Sequence, residues 1–331
     1  MDLLNHHSVI NWLLEEDQPS VRYLALTELL DRSEKDSEVR STWENIARVG
    51  WARDILEKQD PGGFWIRERN LYQPKYVATN WMLLVLSDLS LTKNESRIEK
   101  ACQLWMKHCS SKDGGFSVVS GSKQGHLCMT GNMARALVKF GYEDLPRVRR
   151  AFQWFVKNQA KLGGWSCWSY GGPPAGRNLD SWEPLSAFAV YPRQKWTRGM
   201  KLAVERGAEF FLERELHKQG DRYEPWYRYH YPHHYYYDLL VGLDFMTALG
   251  YTDDKRLEFA ISLLKKKRRP DGRWNLDSIN PDPESPQGKW NREHPNQGTT
   301  NFALERVGVP SKMITLTALK VLRRLGETTF D

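Results

Sequence analysis

Gln59-Asp60-Pro61-Gly62-Gly63-Phe64-Trp65 returns as Gln159-Ala160-Lys161-Leu162-Gly163-Gly164-Trp165, with the glutamine, second glycine and tryptophan in register. Gly114-x-Phe116 and Gly272-x-Trp274 are partial copies. Successive turn glycines lie 51, 49 and 109 residues apart, and the last interval is close to two periods. Gly220-Asp221-Arg222-Tyr223 fills that gap as a degenerate copy. A fixed period near fifty residues marks an array of supersecondary units, in which no unit buries its apolar face alone.

Helical patterns flank each turn. Before it come stretches such as Val148, Ala151, Phe152, Trp154 and Phe155, apolar at helical spacing. After it come longer apolar stretches such as Met133 to Phe140, stopped by Gly141. The unit reads as helix, short link, helix, Gly-aromatic turn. Six apolar helices are expected near 20–31, 76–90, 127–140, 181–191, 235–250 and 311–325. Five more polar ones are expected near 38–58, 95–109, 145–159, 199–217 and 254–268. His6 to Glu16 supplies a spare helix, so the N-terminus can close the array against the C-terminal helix. The expected fold is an all-α toroid of about six inner and six outer helices. An open array would need capping repeats, which the sequence lacks. Residues 1–331 read as one domain, with an irregular Pro-, Asn- and Gly-rich insertion at 280–298 over one mouth of the ring.

Composition narrows the classes. Forty-eight Lys and Arg against 41 Asp and Glu give +7, much of it in Lys265 to Arg269, where basic charge suits a helix C-terminus. Nucleic acid is not an expected partner. No apolar run reaches membrane-spanning length and the N-terminus carries no signal-peptide core, so a cytoplasmic location is expected, with peripheral membrane contact left open. Four cysteines do not make a disulfide framework in a chain this long. Fourteen Trp and 14 Tyr exceed what the repeat turns use.

Much of that excess lies in Trp226-Tyr227-Arg228-Tyr229-His230-Tyr231-Pro232-His233-His234-Tyr235-Tyr236-Tyr237-Asp238. Histidines can bind metal or act as acid and base. Aromatic faces can stabilise a cation, and arginine can grip an anionic group. His233, His234, Tyr235 and Asp238 are the candidate catalytic residues. Arg228, Trp226, Tyr229, His126, Asp180 and Trp182 are the candidate ligand-binding residues.

The Gln-x-x-x-Gly-x-Trp element resembles the repeat of terpenoid cyclases and protein prenyltransferase β subunits. The resemblance runs from about Val21 to Leu325 and implies an α/α toroid in which the aromatic stacks on the glutamine. Pro19 to Leu24, Cys128 to Met133, Gly164 to Cys167, Arg206 to Leu212 and Pro310 to Lys312 are similar to a prokaryotic branch of these repeat proteins. The implied ligand is a small isoprenoid or an anionic group. The chain lacks the Asp-x-Asp-Asp acid of class II cyclases, and Asp253-Asp254-Lys255-Arg256-Leu257 fails the class I magnesium motif at its last position. The prenyltransferase resemblance implies a zinc site, for which Cys128, Cys167 and His234 are the candidates. That branch would carry His-Ser-Cys near the fourth inner helix, where this chain has Asp180-Ser181-Trp182, and the change removes one ligand. A second reading is a carbohydrate-active toroid of the polysaccharide lyase type, using Tyr, His and Arg on a uronic acid. A third is a non-catalytic binding scaffold.

Overall fold

In the computed structural model, residues 2–166, 178–218, 221–234, 236–279 and 303–327 are described, with the side chains of 2–7 and 178–181 left aside. The insertion at 280–298 and residue 220 of the degenerate turn lie outside this set.

Among the described residues there are 13 α-helices. They are α1 (Asp2–Leu13), α2 (Pro19–Leu24), α3 (Ser37–Asn45), α4 (Gly50–Leu56), α5 (Thr79–Asp88), α6 (Ser96–Cys109) and α7 (Leu127–Lys139). Then follow α8 (Pro146–Lys157), α9 (Asn178–Val190), α10 (Arg198–Leu212), α11 (Leu239–Ala248), α12 (Glu258–Lys266) and α13 (Lys312–Arg324). A π-helical turn, Ala25–Leu29, extends α2. Short 3-10 turns occur at Arg193–Lys195, Glu224–Tyr227 and Lys255–Leu257, and the β-structure among the described residues is limited to isolated bridges, such as Ser110 with Phe116.

Two layers follow from the apolar pattern. Helix α5 is buried along its whole length, and α7 from Met129 to Val138, so these helices form an inner layer. Helix α8 buries Val148, Ala151, Phe152, Trp154 and Phe155 and leaves its other face polar, as an outer helix does. Inner helices α5, α7, α9, α11 and α13 pack side by side in chain order, and α13 returns to α2. The fold is an α/α toroid. The six inner helices fall at their expected places. The outer layer differs in detail: the expected 38–58 helix is split into α3 and α4, the N-terminal helix spans Asp2–Leu13 rather than 6–16, and α10 ends at Leu212.

Ion pairs seal the ring. Lys312 Nζ on α13, only 6% exposed, lies 2.8 Å from Glu15 Oε2 and 2.9 Å from Asp17 Oδ1. Lys320 pairs with Glu28 at 2.5 Å, and Arg323 pairs with Asp31.

The repeat turn works through hydrogen bonds. The indole Nε1 of Trp65, Trp165 and Trp274 each donates at 2.8 Å to the carbonyl ten residues earlier, on Ile55, Phe155 and Leu264. Those carbonyls lie at outer-helix ends, where intrahelical partners run out. The backbone N–H of Trp65, Phe116 and Trp274 donates to the hydroxyl of Thr79, Thr130 and Thr315 at 2.9, 2.9 and 3.0 Å. Each threonine lies at or near the start of the inner helix packed beside that turn. The glutamines reach instead to the next outer helix: Gln59 donates to Arg97 O at 3.0 Å, and Gln159 to Ala203 O at 2.7 Å. Gly63, Gly114, Gly163 and Gly272 hold φ of 90°, 103°, 95° and 81°. At Gly163 a Cβ would also lie 2.3 Å from the Arg206 carbonyl, so only glycine fits.

Candidate functional site

The segment between α10 and α11 is buried at Trp226, Tyr227, Tyr229 and His230. Asp238 caps α11, its Oδ1 accepting from Val241 N at 2.9 Å. Its Oδ2 accepts from His230 N at 3.0 Å and lies 2.5 Å from His230 Nδ1. Both side chains are fully buried. This buried pair fixes the course of the chain, so that Tyr231, His233, His234 and Tyr236 follow in the interior.

His234 is 4% exposed, and neither ring nitrogen has a hydrogen-bond partner among the described residues. Its ring stacks on Tyr76 at 4.7 Å and meets the edge of Trp81 at 5.3 Å. The Tyr76 and Tyr236 hydroxyls are 3.3 Å apart. Tyr76 and His234 both have left-handed backbone, with φ of 70° and 44°. Such conformations cost roughly 1–3 kcal/mol each and persist only where the surroundings impose them. Burial holds the His234 ring at a pKa of about 3 and His233 at about 4, so both are neutral at physiological pH. His233 Nε2 and the Tyr231 hydroxyl are also buried without partners.

A charged group faces them. Asp88, at the end of α5, lies 2.7 Å from Lys139 Nζ and 3.9 Å from Arg135 Nη2, both on α7. Burial works to raise its carboxyl, but the two cations outweigh burial and hold it well below the usual range. Asp244 on α11 is treated likewise: Arg324, at 2.7 Å, and Lys320 overcome burial and hold it at about 2. The Asp244 side chain keeps 39% of its surface accessible although desolvation is the largest influence on it. His233 lies within electrostatic reach of both Asp88 and Asp244.

The other expected residues divide. Arg228 is exposed, pointing away from the interior between the buried Tyr227 and Tyr229. Trp226 packs edge-on to Tyr237, and Tyr229 is buried under Lys267, whose Nζ is 4.9 Å from its ring. His126 caps the start of α7, its carbonyl accepting from Thr130 N at 2.8 Å, while its Nδ1 is buried without a partner. Trp182 is fully buried, with Arg135 5.7 Å over its ring. Tyr235 and Cys167 lie outside the described residues, as does the Asp180 side chain. Cys128 is partly buried beside Lys75, whose ammonium burial lowers to about 8. Among the described residues no group of three His, Cys, Asp or Glu is placed to hold a metal, and the proposed zinc set has Cys167 outside them.

Sequence reasoning missed Asp88, Arg135, Lys139, Tyr76 and Trp81. Asp88 and Lys139 end inner helices, where terminal polar residues look ordinary, and Arg135 reads as the polar face of an amphipathic helix. The signal that could have found them is a full charge inside a helix expected to be inner.

No family model matches the chain, and no curated protein matches it. Solved structures do. The type II terpene cyclase MstE from Scytonema aligns over 98% of this chain and 99% of its own, at 13% identity and a TM-score of 0.50. The chain has a terpenoid-cyclase-like fold. A protein from Actinoplanes aligns over 98% of this chain and 99% of its own, at 16% identity and a TM-score of 0.48. An MstE variant in complex with geranylgeranyl dihydroxybenzoate aligns over 98% of this chain and 96% of its own, at 14% identity and a TM-score of 0.47. At such identities the likeness concerns architecture, and function rests on the site. No helix among the described residues is long and apolar enough to cross a membrane.

Proposed function

We propose that this chain is an isoprenoid-handling toroid protein whose ligand lies in the internal space beside His233 and His234. The reading takes residues 1–331 as one domain. The observation that carries it is the enclosure of His234: an unpartnered, neutral imidazole between the faces and edges of Tyr76 and Trp81. Aromatic walls bury an apolar chain and stabilise positive charge on it. The fold it shares with a protein named as a terpene cyclase supports the same reading.

The site chemistry favours bases over acids. Asp88, Asp238 and Asp244 are all held below the usual carboxylate range, and His233 and His234 are neutral. A neutral histidine accepts a proton and an ionised aspartate balances a cation. The catalytic role that suits this set is proton removal from the carbon next to a cationic substrate centre, leaving an alkene, with His233 or His234 as acceptor. Protonation of an alkene by an Asp-x-Asp-Asp acid has no counterpart in the sequence.

Calorimetric titration with geranylgeraniol and with an oligouronate tests the reading. We expect binding of the prenyl chain, weakened at least tenfold in Trp81→Ala at unchanged fold. Binding of the oligouronate in its place would move the site to carbohydrate chemistry, and binding of neither would leave a scaffold.

A further inference from the structure

Two segments from opposite sides of the ring touch each other. One way round the inner layer, α7 and α9 lie between α5 and α11, and the other way α13 and α2 do, so α5 and α11 face each other across the lumen. Tyr76 lies just before α5 and Trp81 in its first turn, while His234 and Tyr236 lie just before α11. All four therefore stand at the end of the inner layer where the Gly-aromatic turns sit. Tyr76 stacks on His234 at 4.7 Å, Trp81 meets the same ring edge-on at 5.3 Å, and the Tyr76 and Tyr236 hydroxyls are 3.3 Å apart. Contacts this short between the starts of two facing helices span the lumen. His234 is only 4% exposed, and Tyr76 and Tyr236 are 5% exposed, so water is shut out at that level.

The roots of both segments are pinned. Asn80 N donates to Leu71 O, and Trp81 Nε1 to Tyr72 O, each at 2.8 Å. Tyr229 exchanges two hydrogen bonds with Asp277, each at 2.9 Å, and His230 is fixed by Asp238. The tips carry opposing terms. Closure gains the ring contacts. It also holds Tyr76 and His234 in left-handed backbone and leaves both His234 nitrogens buried without a partner among the described residues. Opening would relax the backbone and let the imidazole reach water. A contact with such opposed terms can open and close, where a core seam could not.

We propose that Tyr76, His234 and Tyr236 form an aromatic gate across the turn-side end of the lumen, through which the ligand enters and which closes over it. The ligand is that of the isoprenoid reading above, on which this inference rests. The link-side end of the inner layer carries ion pairs between neighbouring helices, Asp88 with Lys139 and Asp244 with Arg324, each at 2.7 Å. Charged pairs are a poor lining for the passage of an apolar chain. Closure of the aromatic end keeps water from the bound chain and presents the His234 ring to it.

Two measurements on the full chain test the gate. The first is carbethoxylation of His234 by diethyl pyrocarbonate, followed by peptide mass mapping, and it needs no isoprenoid. His234 is neutral, the form the reagent attacks. Tyr76→Ala should raise its rate roughly tenfold or more, and Tyr76→Phe, which keeps the ring, by less than about threefold. His230, fully buried against Asp238, should keep its wild-type rate. A rise at both histidines would mark unfolding, and Tyr236→Ala, which removes the other side of the gate, then takes the place of Tyr76→Ala. The second is stopped-flow association of geranylgeraniol. The wild-type rate should level off as the alcohol rises, limited by opening, and Tyr76→Ala should lift that plateau roughly tenfold or more. An unchanged His234 rate in both Tyr76→Ala and Tyr236→Ala would overturn the gate. A wild-type association rate that never levels off, or a plateau that Tyr76→Ala leaves in place, would overturn it too. A faster His234 reaction with no binding of geranylgeraniol would leave the gate standing and overturn the isoprenoid reading.

Discussion

Thr130→Val isolates the device that ties each turn to an inner helix. The Thr130 hydroxyl is fully buried, accepts from Phe116 N at 2.9 Å and donates to His126 O at 2.7 Å. Valine has nearly the same shape, so no cavity opens. The His126 carbonyl keeps the Thr130 backbone N–H at 2.8 Å and remains satisfied. The loss is therefore dominated by one buried N–H, on Phe116, left without an acceptor, and it should destabilise by about 1–3 kcal/mol. Thr130→Ser, which keeps the hydroxyl, should cost less. Urea denaturation followed by circular dichroism measures this, and the midpoint should fall with the slope unchanged. The same substitution at Thr79, one repeat away, should add to it nearly independently. An unchanged midpoint in Thr130→Val would refute the claim that these threonines hold the turns.

Trp165→Ala removes a fully buried ring together with the indole bond to Phe155 O, and should cost roughly 3–5 kcal/mol in the same assay. Gly131→Ala should destabilise by about 1–3 kcal/mol, because its Cβ would stand 2.5 Å from Glu183 Cβ and 2.8 Å from the Glu183 backbone where α7 and α9 pack. A thermal midpoint equal to the wild type would contradict that contact. Acid should also destabilise the fold through His233 and His234. Their folded pKa values of about 4 and about 3 lie below the unfolded value near 6.5, so between these limits the unfolded chain binds more protons. Stability from this source is full above about pH 6.5 and is lost as the pH falls toward about 4 and 3. His234→Gln should flatten the profile in that range, and an unflattened profile would show that His234 is protonated without cost in the fold.

The ring was legible because it is periodic. The Gly-aromatic turns at 63, 114, 163 and 272 and the stops at Gly141, Gly250 and Gly326 placed the inner helices, and all seven glycines hold positive φ. The closing contact was legible as a count, one spare N-terminal helix against one missing partner. The form of the repeat tie was not. A carbonyl ten residues back and a threonine across the turn are acceptors that only the folded chain brings into reach. The candidate site was legible in part. Density of His and Tyr singled out 226–238, but density does not say which side chains turn inward, and Arg228 with Trp226 was grouped with His233 and His234 on adjacency alone. Asp88 and Arg135 are 47 residues apart and belong to different repeats. Their meeting depends on how α5 and α7 pack, which no local pattern encodes.

The central claim is that the internal space beside His233 and His234 receives an isoprenoid chain. A crystal structure of the protein with a geranylgeranyl ligand tests it most directly. The account predicts density for the chain between Tyr76, Trp81 and Tyr231, within van der Waals contact of the His234 ring. Density on the outer surface of the helices, or a space filled by side chains with no ligand admitted at saturating concentration, would contradict it.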